Sequence, residues 1–356
     1  MIPIELKPFP DEILSSWLIR NSIANGSDPS SWVDGIWMNY RAWNIDIDRH
    51  LSQSRINQLS NITSLDKMQI RNMTLEPTIE KIFSEHKLNP KKAWLFVVPT
   101  GSRGGRKING THFCKDCLKD KNPYIKKQWR LAWNVACPIH KTLLIHRCPK
   151  CNEAFSPHLI NYKNIEIFKC THCGFDLTKS DSISVCDEVI NFQEKLNDIA
   201  LGHCKSIDYP IMEKNISELF KTIRILFSFF RYASFSVKHK NIFNKFGIDE
   251  SINISNYSNG TTFEAMSVED RLQLLLVISK LAKFKINDIK NILLDEHIYK
   301  KSLLNQISLD SLTIDYLAEG LEEPKDRIMV ATKNNSIEPR SKEEVEKLMD
   351  KIRRFI

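Results

Sequence analysis

The chain has 356 residues, of which 42% are hydrophobic and 26% charged, and its formal net charge is +8. This length and balance are typical of a soluble globular protein with two or three domains. The longest apolar runs, LLLVI and ILFSFF, are too short to span a bilayer, which excludes a membrane-spanning chain. The first residues, MIPIELKPFP, do not resemble a signal peptide, so we expect a cytoplasmic protein.

The first hundred residues show the pattern of short helices. PDEILSSWLIRNSIANG carries apolar residues at helical spacing and stops at Asn25-Gly26. SDPSSWVDGIW restarts with Asp28 as the cap and Pro29 at the first helical position. A third helix is predicted over about residues 51–59, and a fourth after ITSLDKMQIRNMT. Short helices with tight turns predict a helix-turn-helix-like region over 1–100, although many all-helical domains share this pattern.

A glycine-rich basic stretch, PTGSRGGRKINGTHF, leads out of this region. It lacks the spacing of a phosphate-binding P-loop. Its Arg103, Arg106 and Lys107 are candidates for contact with a nucleic acid or a partner. A plain flexible linker is the alternative interpretation.

Four pairs of metal-ligand residues follow at C-x-x-C or C-x-x-H spacing. They are Cys114/Cys117, Cys137/His140, Cys148/Cys151 and Cys170/Cys173. Nineteen residues separate the first pair from the second, and eighteen separate the third pair from the fourth. Spacers of this length let two consecutive pairs meet around one metal centre. The sequence therefore predicts a tandem zinc-ribbon-like module over 101–180 with two structural zinc ions. Disulfides are the alternative, which a reducing cytoplasm disfavours.

The remaining histidines and cysteines near these pairs break the pair spacing. His112, His146 and His172 are interpreted as neighbours of the ligands or as exposed residues. Cys186 and Cys204 have no second cysteine or histidine at metal-ligand spacing in the sequence, and we interpret them as ordinary buried thiols. Because a closed four-ligand site leaves no open position for water, the predicted zinc sites are structural.

The positive charge of the chain lies in this central module. Residues 101–180 hold fifteen Lys or Arg against five Asp or Glu, whereas the rest of the chain holds thirty-six against thirty-eight. A rigid basic module predicts a surface that faces phosphate. A solvated lysine-rich surface without a ligand is the alternative.

The segment YIKKQWRLAW between the first two pairs mixes basic and aromatic residues. Lys126, Lys127 and Arg130 are further candidates for nucleic-acid or partner contact. Trp129 and Trp133 lie four residues apart. This spacing places both on one helical face and predicts that they pack the zinc core rather than stack on bases.

Longer amphipathic helices are predicted over 181–356, in ISELFKTIRILFSFFRYA, in SVEDRLQLLLVISKLAKF with a cap at Ser267, and in SKEEVEKLMDKIRRF. SLTIDYLAEGLEEPKDRIMVATKNN predicts two short helices around Gly320, which suggests a second helix-turn-helix or a helical surface that docks a partner. The predicted fold is mainly α, with domains over 1–100, 101–180 and 181–356.

No catalytic signature is present. G-x-S-x-G, H-E-x-x-H and the dinucleotide fingerprint are all absent, and the cysteines at telling spacings are already assigned as ligands. No spaced carboxylate motif singles out a two-metal nuclease site. The sequence therefore predicts a protein that is not an enzyme.

Four stretches, LKPFPDEILSSWLIRNSIANG, FCKDCL, QWRLAWNVACPIHKTLLIHRCPKC and CTHCG, occur in an order that resembles the TniQ family. This family comprises the TnsD-related target-selecting subunits of heteromeric bacterial transposons, and the resemblance covers about residues 5–175. It implies a helix-turn-helix region followed by two zinc units with the eight ligands named above. It also implies a non-catalytic subunit that marks the target for an AAA+ ATPase, which recruits the transposase.

The resemblance implies two modes of target choice. Long members read attachment-site DNA, and others sit as a dimer on a CRISPR guide-RNA complex such as Cascade. The resemblance does not extend to residues 176–356, where the two modes should differ. The nearly neutral charge of this part favours protein docking, since phosphate contacts need Lys or Arg. A free-standing, sequence-specific, zinc-containing DNA-binding regulator is the alternative function.

Overall fold

The computed structural model describes residues 2–84, 88–90, 92–100, 102–103, 106–107, 110–162, 165–204, 215–236, 239, 241–248, 254, 261–304 and 309–323. Two compact units divide the chain, Met1–Glu322 and Glu323–Ile356, and only Glu323 of the second is described. The described part of the chain contains twelve α-helices and four two-residue strands. This confirms the predicted mainly α fold class.

Five helices form the amino-terminal region. They are α1 Leu14–Ala24, α2 Pro29–Ile36, α3 Gln53–Ile62, α4 Lys67–Asn72 and α5 Glu76–Ile82. The first predicted helix is confirmed and ends at Asn25, and Gly26 follows with a φ of 67°, a left-handed conformation that glycine adopts without strain. The second begins at Pro29 after Asp28, as predicted. The Asp28 carboxylate accepts a hydrogen bond from the backbone N–H of Tyr162 (2.6 Å), which ties α2 to the central module.

Helix α4 lies inside a stretch that the sequence pattern assigned to a connection. A capping box starts it: the Asp66 carboxylate accepts from the Gln69 N–H (2.8 Å), and the Gln69 side chain accepts from the Asp66 N–H (2.9 Å). Residues 63–66 join α3 to α4, and the two helices pack against each other. A tight helical pair therefore lies within residues 1–100, and the helix-turn-helix-like character of this region stays a prediction.

The central module is built from turns and short hairpins instead of long elements. Strands β1 Ser102–Arg103 and β2 Arg106–Lys107 form one antiparallel hairpin, and β3 Ala136–Cys137 and β4 Thr142–Leu143 form another. Trp129 and Trp133 are both buried, as predicted. The shared helical face was wrong, because a 3₁₀ turn ends at Arg130 and the chain is extended at Leu131.

Seven helices follow: α6 Asp187–Leu201, α7 Ile216–Phe235, α8 Asn241–Lys245, α9 Val268–Leu281, α10 Ile286–Asp295, α11 Lys300–Leu304 and α12 Leu312–Ala318. The long helices predicted at α7 and α9 are confirmed, and the Ser267 hydroxyl caps α9 by accepting from the Asp270 N–H (3.1 Å). The predicted helix over 341–355 lies outside the described residues, as does the second helix of the pair around Gly320. Within the described part, no helix has both the length and the apolar character of a membrane span.

One main hydrophobic core joins α5, the central module and the helices from α6 to α12. The ring of Phe96 lies at its centre, with edge-to-face contacts to Trp133 (5.2 Å) and Phe220 (5.5 Å). The backbone N–H of Phe96 donates to the buried carboxylate of Glu264 (2.9 Å), which also pairs with Arg224 (2.7 Å). The predicted domains therefore share one compact unit as far as Glu322, and the division at 100 and 180 stays a prediction.

Helix α6 is hydrogen-bonded to the strand that carries the third metal-ligand candidate. The side-chain oxygen of Gln193 accepts from the N–H groups of Val135 (2.8 Å) and Ala136 (3.0 Å), and its nitrogen donates to the Ala136 carbonyl (2.9 Å). One turn on, Asn197 accepts from the Trp133 indole (2.8 Å). The Gln193 side chain thus makes the hydrogen bonds to the backbone of β3 that a neighbouring strand would otherwise make.

Replacing Gln193 with Ala should lower the free energy of unfolding by about 2–3 kcal/mol, because two buried backbone N–H groups lose their acceptor. Asn191→Ala on the exposed side of α6 is the matched control and should change stability by less than about 0.5 kcal/mol. Urea denaturation of both variants measures the difference. Equal stability of the two variants would show that water replaces the glutamine.

Candidate metal centres and the surrounding surface

The first four predicted ligands converge on one point. The Nδ1 atom of His140 lies 3.4 Å from Sγ of Cys114, 3.5 Å from Sγ of Cys117 and 3.6 Å from Sγ of Cys137. The Sγ atoms of Cys117 and Cys137 are 3.7 Å apart. Thiolates bound at about 2.3 Å on a tetrahedron lie about 3.8 Å from each other, so these four donors can hold one metal ion. We call them cluster 1.

The second four ligands converge in the same way. Sγ of Cys148 lies 3.6 Å from Sγ of Cys173, and Sγ of Cys151 lies 3.7 Å from Sγ of Cys170. All four sulfurs lie within 4.8 Å of one another and can hold a second ion. These separations are far from the bond length of a disulfide, about 2.05 Å, and none of the nine cysteines forms a disulfide. We call this set cluster 2.

Local backbone geometry explains why three of the pairs point their donors together. The residue after each second ligand is left-handed, with φ of 53° at Lys141, 58° at Asn152 and 70° at Gly174. Its N–H donates to the carbonyl of the first ligand of the same pair, at 2.8, 2.9 and 2.9 Å. Each turn therefore closes on itself and leaves both side chains on the inside. The first pair differs, because a 3₁₀ turn starts at Cys117.

The crowded thiols perturb each other's acidity. Hydrogen bonds from the thiols of Cys117 and Cys137 lower the pKa of Cys114, whereas hydrogen bonds with Cys114 and Cys137 raise the pKa of Cys117. In cluster 2, the backbone N–H of Phe175 lowers the pKa of Cys173 to about 7. Each cluster thus already favours one thiolate, the form that binds a cation. A metal ion would displace the remaining thiol protons.

The two clusters differ in burial. In cluster 1 the three cysteines are buried and only His140 is exposed, whereas in cluster 2 Cys151 and Cys173 are half-buried. Cluster 1 also takes Cys137 from β3, the strand that helix α6 supports. Both clusters border the main core, which includes Cys148 and Cys170, but cluster 2 lies nearer to the surface.

The three neighbouring histidines do not join either cluster. His112 is fully buried, and its ring stacks on His146 with centroids 5.2 Å apart. Nε2 of His112 accepts from the buried guanidinium of Arg271 (2.6 Å), and burial lowers the pKa of His112 well below its usual value. His172 is exposed. His112 therefore links the segment before Cys114 to helix α9.

The interpretation of the two spare cysteines as buried thiols was wrong. Cys186 is exposed, because it occupies the cap position before α6, and Cys204 is only half-buried. Neither belongs to a group of three or more candidate metal ligands within the described residues. No chemistry follows from them.

Arg130, predicted as a contact for a nucleic acid or partner, is buried in the interior. Its guanidinium pairs with Asp46 (2.6 Å) and Asp48 (3.0 Å) and donates to the Val98 carbonyl (2.9 Å). Burial alone lowers the pKa of Arg130, but the two carboxylates outweigh it and the pKa is raised. The contact prediction is wrong for this residue, which instead ties the central module to the amino-terminal region.

The other predicted contact residues fall into two groups. The Lys126 ammonium pairs with Asp11 (3.0 Å), and the Lys127 ammonium donates to the Asn72 carbonyl (2.7 Å) at the end of α4. Both lysines are only half-buried, so a surface role stays a prediction. Arg103, Arg106 and Lys107 lie on the β1–β2 hairpin, and their side chains are outside the described set.

Carboxylates from outside the module offset part of its positive charge. Asp11, Asp46 and Asp48 come from the amino-terminal region, and Asp187 of α6 pairs with Lys141 (2.7 Å). These four acids were not singled out by the sequence pattern. For Asp46 and Asp48, the local signal is the alternation of apolar and acidic residues in NIDID. The module therefore presents less positive charge than its composition suggests.

Comparison with known families agrees with this arrangement. The family model described as TniQ matches residues 3–144, whereas the resemblance in the sequence was expected over about 5–175. The match includes α1 to α5 and all of cluster 1, and it ends before cluster 2 begins at Cys148. No curated protein matches the chain. Residues 3–144 therefore match a TniQ domain, and the match covers less than half of the chain.

Proposed function

We propose that this chain is a non-catalytic adaptor that selects the target site for DNA transposition. It would link an element that recognises the target to an AAA+ ATPase, which in turn recruits the transposase. The observation that carries the proposal is the TniQ domain over residues 3–144, since that family is associated with target selection in transposition. The described residues agree, because both Cys/His clusters use four donors each and leave no open position for a reacting water.

We further propose that both clusters hold zinc. Three thiolates with one imidazole, and four thiolates, are donor sets that zinc prefers, and four-coordinate geometry is its usual structural form. Cys114, Cys117, Cys137 and His140 would hold the first ion, and Cys148, Cys151, Cys170 and Cys173 the second. Each ion would fix two turns that are distant in the chain.

Elemental analysis of the purified chain should find two zinc ions per molecule. Prolonged chelation should then reduce near-ultraviolet circular dichroism, because the tryptophans next to cluster 1 lose their packing. Adding zinc back should restore the signal. Fewer than two equivalents of any divalent metal in the chain purified with added zinc would contradict the assignment.

The proposed targeting partner is a CRISPR guide-RNA complex such as Cascade, on which the chain would sit as a homodimer, or else attachment-site DNA. Charge supports the first choice. Arg130 is neutralised in the interior, and Lys126 and Lys141 pair with acids from other regions. Arg103, Arg106 and Lys107 of the β1–β2 hairpin are the residues we propose for any remaining nucleic-acid contact.

Binding of the zinc-loaded chain to duplex DNA tests the mode of targeting. The probes are the DNA that flanks the transposon's insertion site and a scrambled duplex of the same composition, at physiological salt. Weak, equal binding to both is expected for the RNA-guided mode. A preference of about a thousandfold or more for the native site indicates direct reading of the attachment site.

The same assay addresses the alternative of a free-standing regulator. A regulator would bind a specific duplex, yet deletion of its gene would leave transposition unchanged. Strand cleavage by the chain in the presence of Mg²⁺ would contradict the non-catalytic proposal. Replacing both Arg103 and Arg106 with Ala should weaken any DNA binding equally for both probes and reduce its salt dependence.

A further inference from the structure

A cleft of about 710 Å³ lies between the first turn of cluster 2 and the start of helix α9. One wall is the segment that runs from β4 to the first ligand of cluster 2. The opposite wall is formed by Ala265, Met266 and the first turn of α9. Ser180, Asp181 and Ile183 close one side. Volumes of about 300–1,000 Å³ are typical of ligand-binding pockets.

The floor of the cleft is apolar. Leu143, Leu144, Ile145 and Met266 line it, together with Ile183. The side chain of Ile183 is 53% exposed, although its backbone is held in place by a hydrogen bond from the Leu143 N–H to the Ile183 carbonyl (2.8 Å). A fixed, exposed isoleucine inside a concave surface is an anchor point for an apolar side chain of a partner.

The charged residues around this floor are mainly acidic. Asp181, Glu269 and Asp270 line the cleft against a single basic side chain, Arg147, which gives a net charge of −2 from three negative groups and one positive group. Asp181 and Glu269 are exposed. Arg147 is engaged within the wall, since it donates to the Asn152 carbonyl (2.8 Å). The cleft therefore repels phosphate and attracts Lys or Arg.

From this geometry, we propose that the cleft docks a segment of the AAA+ ATPase in which Lys or Arg stands beside apolar residues. The proposal rests on the adaptor function proposed above. Besides a second copy of the chain, the proposed function names two partners, and the targeting element exposes nucleic acid, whose phosphates an acidic cleft disfavours. Of these two, the ATPase is the partner made of protein alone.

Cluster 2 contributes directly to this docking cleft. Cys148, Pro149 and Asn152 belong to the first turn of the cluster and also line the cleft wall. The N–H of Cys148 donates to the Glu153 carbonyl (2.9 Å), and the N–H of Asn152 donates to the Cys148 carbonyl (2.9 Å). The turn that presents metal ligands on one side therefore presents a fixed wall to the partner on the other side.

The test compares binding of the purified ATPase, with ATP bound, to the full zinc-loaded chain and to its variants. Ile183→Asp should weaken binding at least tenfold, because it places a charge on the apolar floor. Asp181→Lys with Glu269→Gln should have a similar effect and reduce the salt dependence of association. Glu269 is made neutral and is not reversed, since an acid in the first turn of α9 also stabilises the helix.

Ile4→Asp is the matched control, because Ile4 is 51% exposed and lies outside the cleft. It should leave binding within about twofold of the unaltered chain. Thermal denaturation should show that all variants are folded. If the unaltered chain binds the ATPase and the cleft variants bind equally well, the cleft is not the docking site but the adaptor function stands. If the unaltered chain does not bind the ATPase at all, both proposals fail.

Discussion

The Cys137→Ser variant should fail to fold its compact unit, whereas Cys173→Ser should fold with one metal ion fewer. Cys137 is a fully buried ligand of cluster 1 on β3, and helix α6 is bonded to this strand through Gln193. A structural zinc site contributes about 10–16 kcal/mol to folding, which equals or exceeds the usual total stability of about 5–15 kcal/mol. Loss of cluster 1 therefore leaves too little stability for the unit.

Cluster 2 is placed differently in the fold. Cys173 is half-buried, and the ligand pairs of this cluster are held by turns that close on themselves, such as the bond from the Gly174 N–H to the Cys170 carbonyl (2.9 Å). Removing Cys173 should loosen residues around cluster 2 and leave the contacts among α6, α7 and α9 in place.

Zinc content, circular dichroism and amide hydrogen exchange measure this difference between the clusters. Cys173→Ser should keep one zinc ion per chain, cooperative unfolding and slow exchange in α7 and α9. Cys137→Ser should show fast exchange throughout and no cooperative transition. Equal loss of structure in both variants would contradict the unequal roles of the clusters.

Replacing Arg130 with Met should reduce the free energy of unfolding by about 3–5 kcal/mol at pH 7. The change leaves Asp46 and Asp48 buried without their cation, and an uncompensated buried charge costs about this much. Ser15 would still donate to Asp48 through its N–H and hydroxyl, at 2.7 Å each, which limits the loss.

The effect of Arg130→Met should depend on pH. Burial raises the pKa of the Asp48 carboxyl even with Arg130 present, and removal of the guanidinium would raise this pKa further. The folded state then binds more protons than the unfolded state, so stability falls as pH rises through the folded pKa. The variant should accordingly lose less stability at pH 5 than at pH 7.

Lys126→Met is the matched control for Arg130→Met. Lys126 lies four residues earlier and also pairs with an aspartate, but this pair is partly exposed, with 37% of the Asp11 side chain accessible. A pair of this kind contributes less than about 1 kcal/mol. Similar losses from both substitutions would show that the interior ion pair is not what stabilises the junction.

Local signals explain what the sequence predicted correctly. The metal clusters follow from pairs whose members lie three residues apart, and α1, α2, α7 and α9 follow from apolar periodicity with a cap or stop residue at one end. Helix α4 was missed because it has only six residues and one buried side chain, Ile70, so it carries no periodic pattern. Its capping box, Asp66 with Gln69, was the available signal.

Contacts between distant parts of the chain explain what the sequence did not predict. Arg130 reads as a surface residue in a basic segment, and its partners stand more than eighty residues earlier, at Asp46 and Asp48. Gln193 reads as an ordinary polar helix residue until β3 lies against it. In both cases burial is decided by tertiary packing, which composition and periodicity do not encode.

The central claim is that this chain chooses the target of transposition without performing the chemistry. Mapping of insertion sites by sequencing, in cells that carry the ATPase, the transposase and the targeting complex with or without this chain, tests the claim most directly. The account predicts insertions at one programmed position with the chain present and a loss of that position without it. An unchanged map of insertions when the chain is omitted would contradict the account.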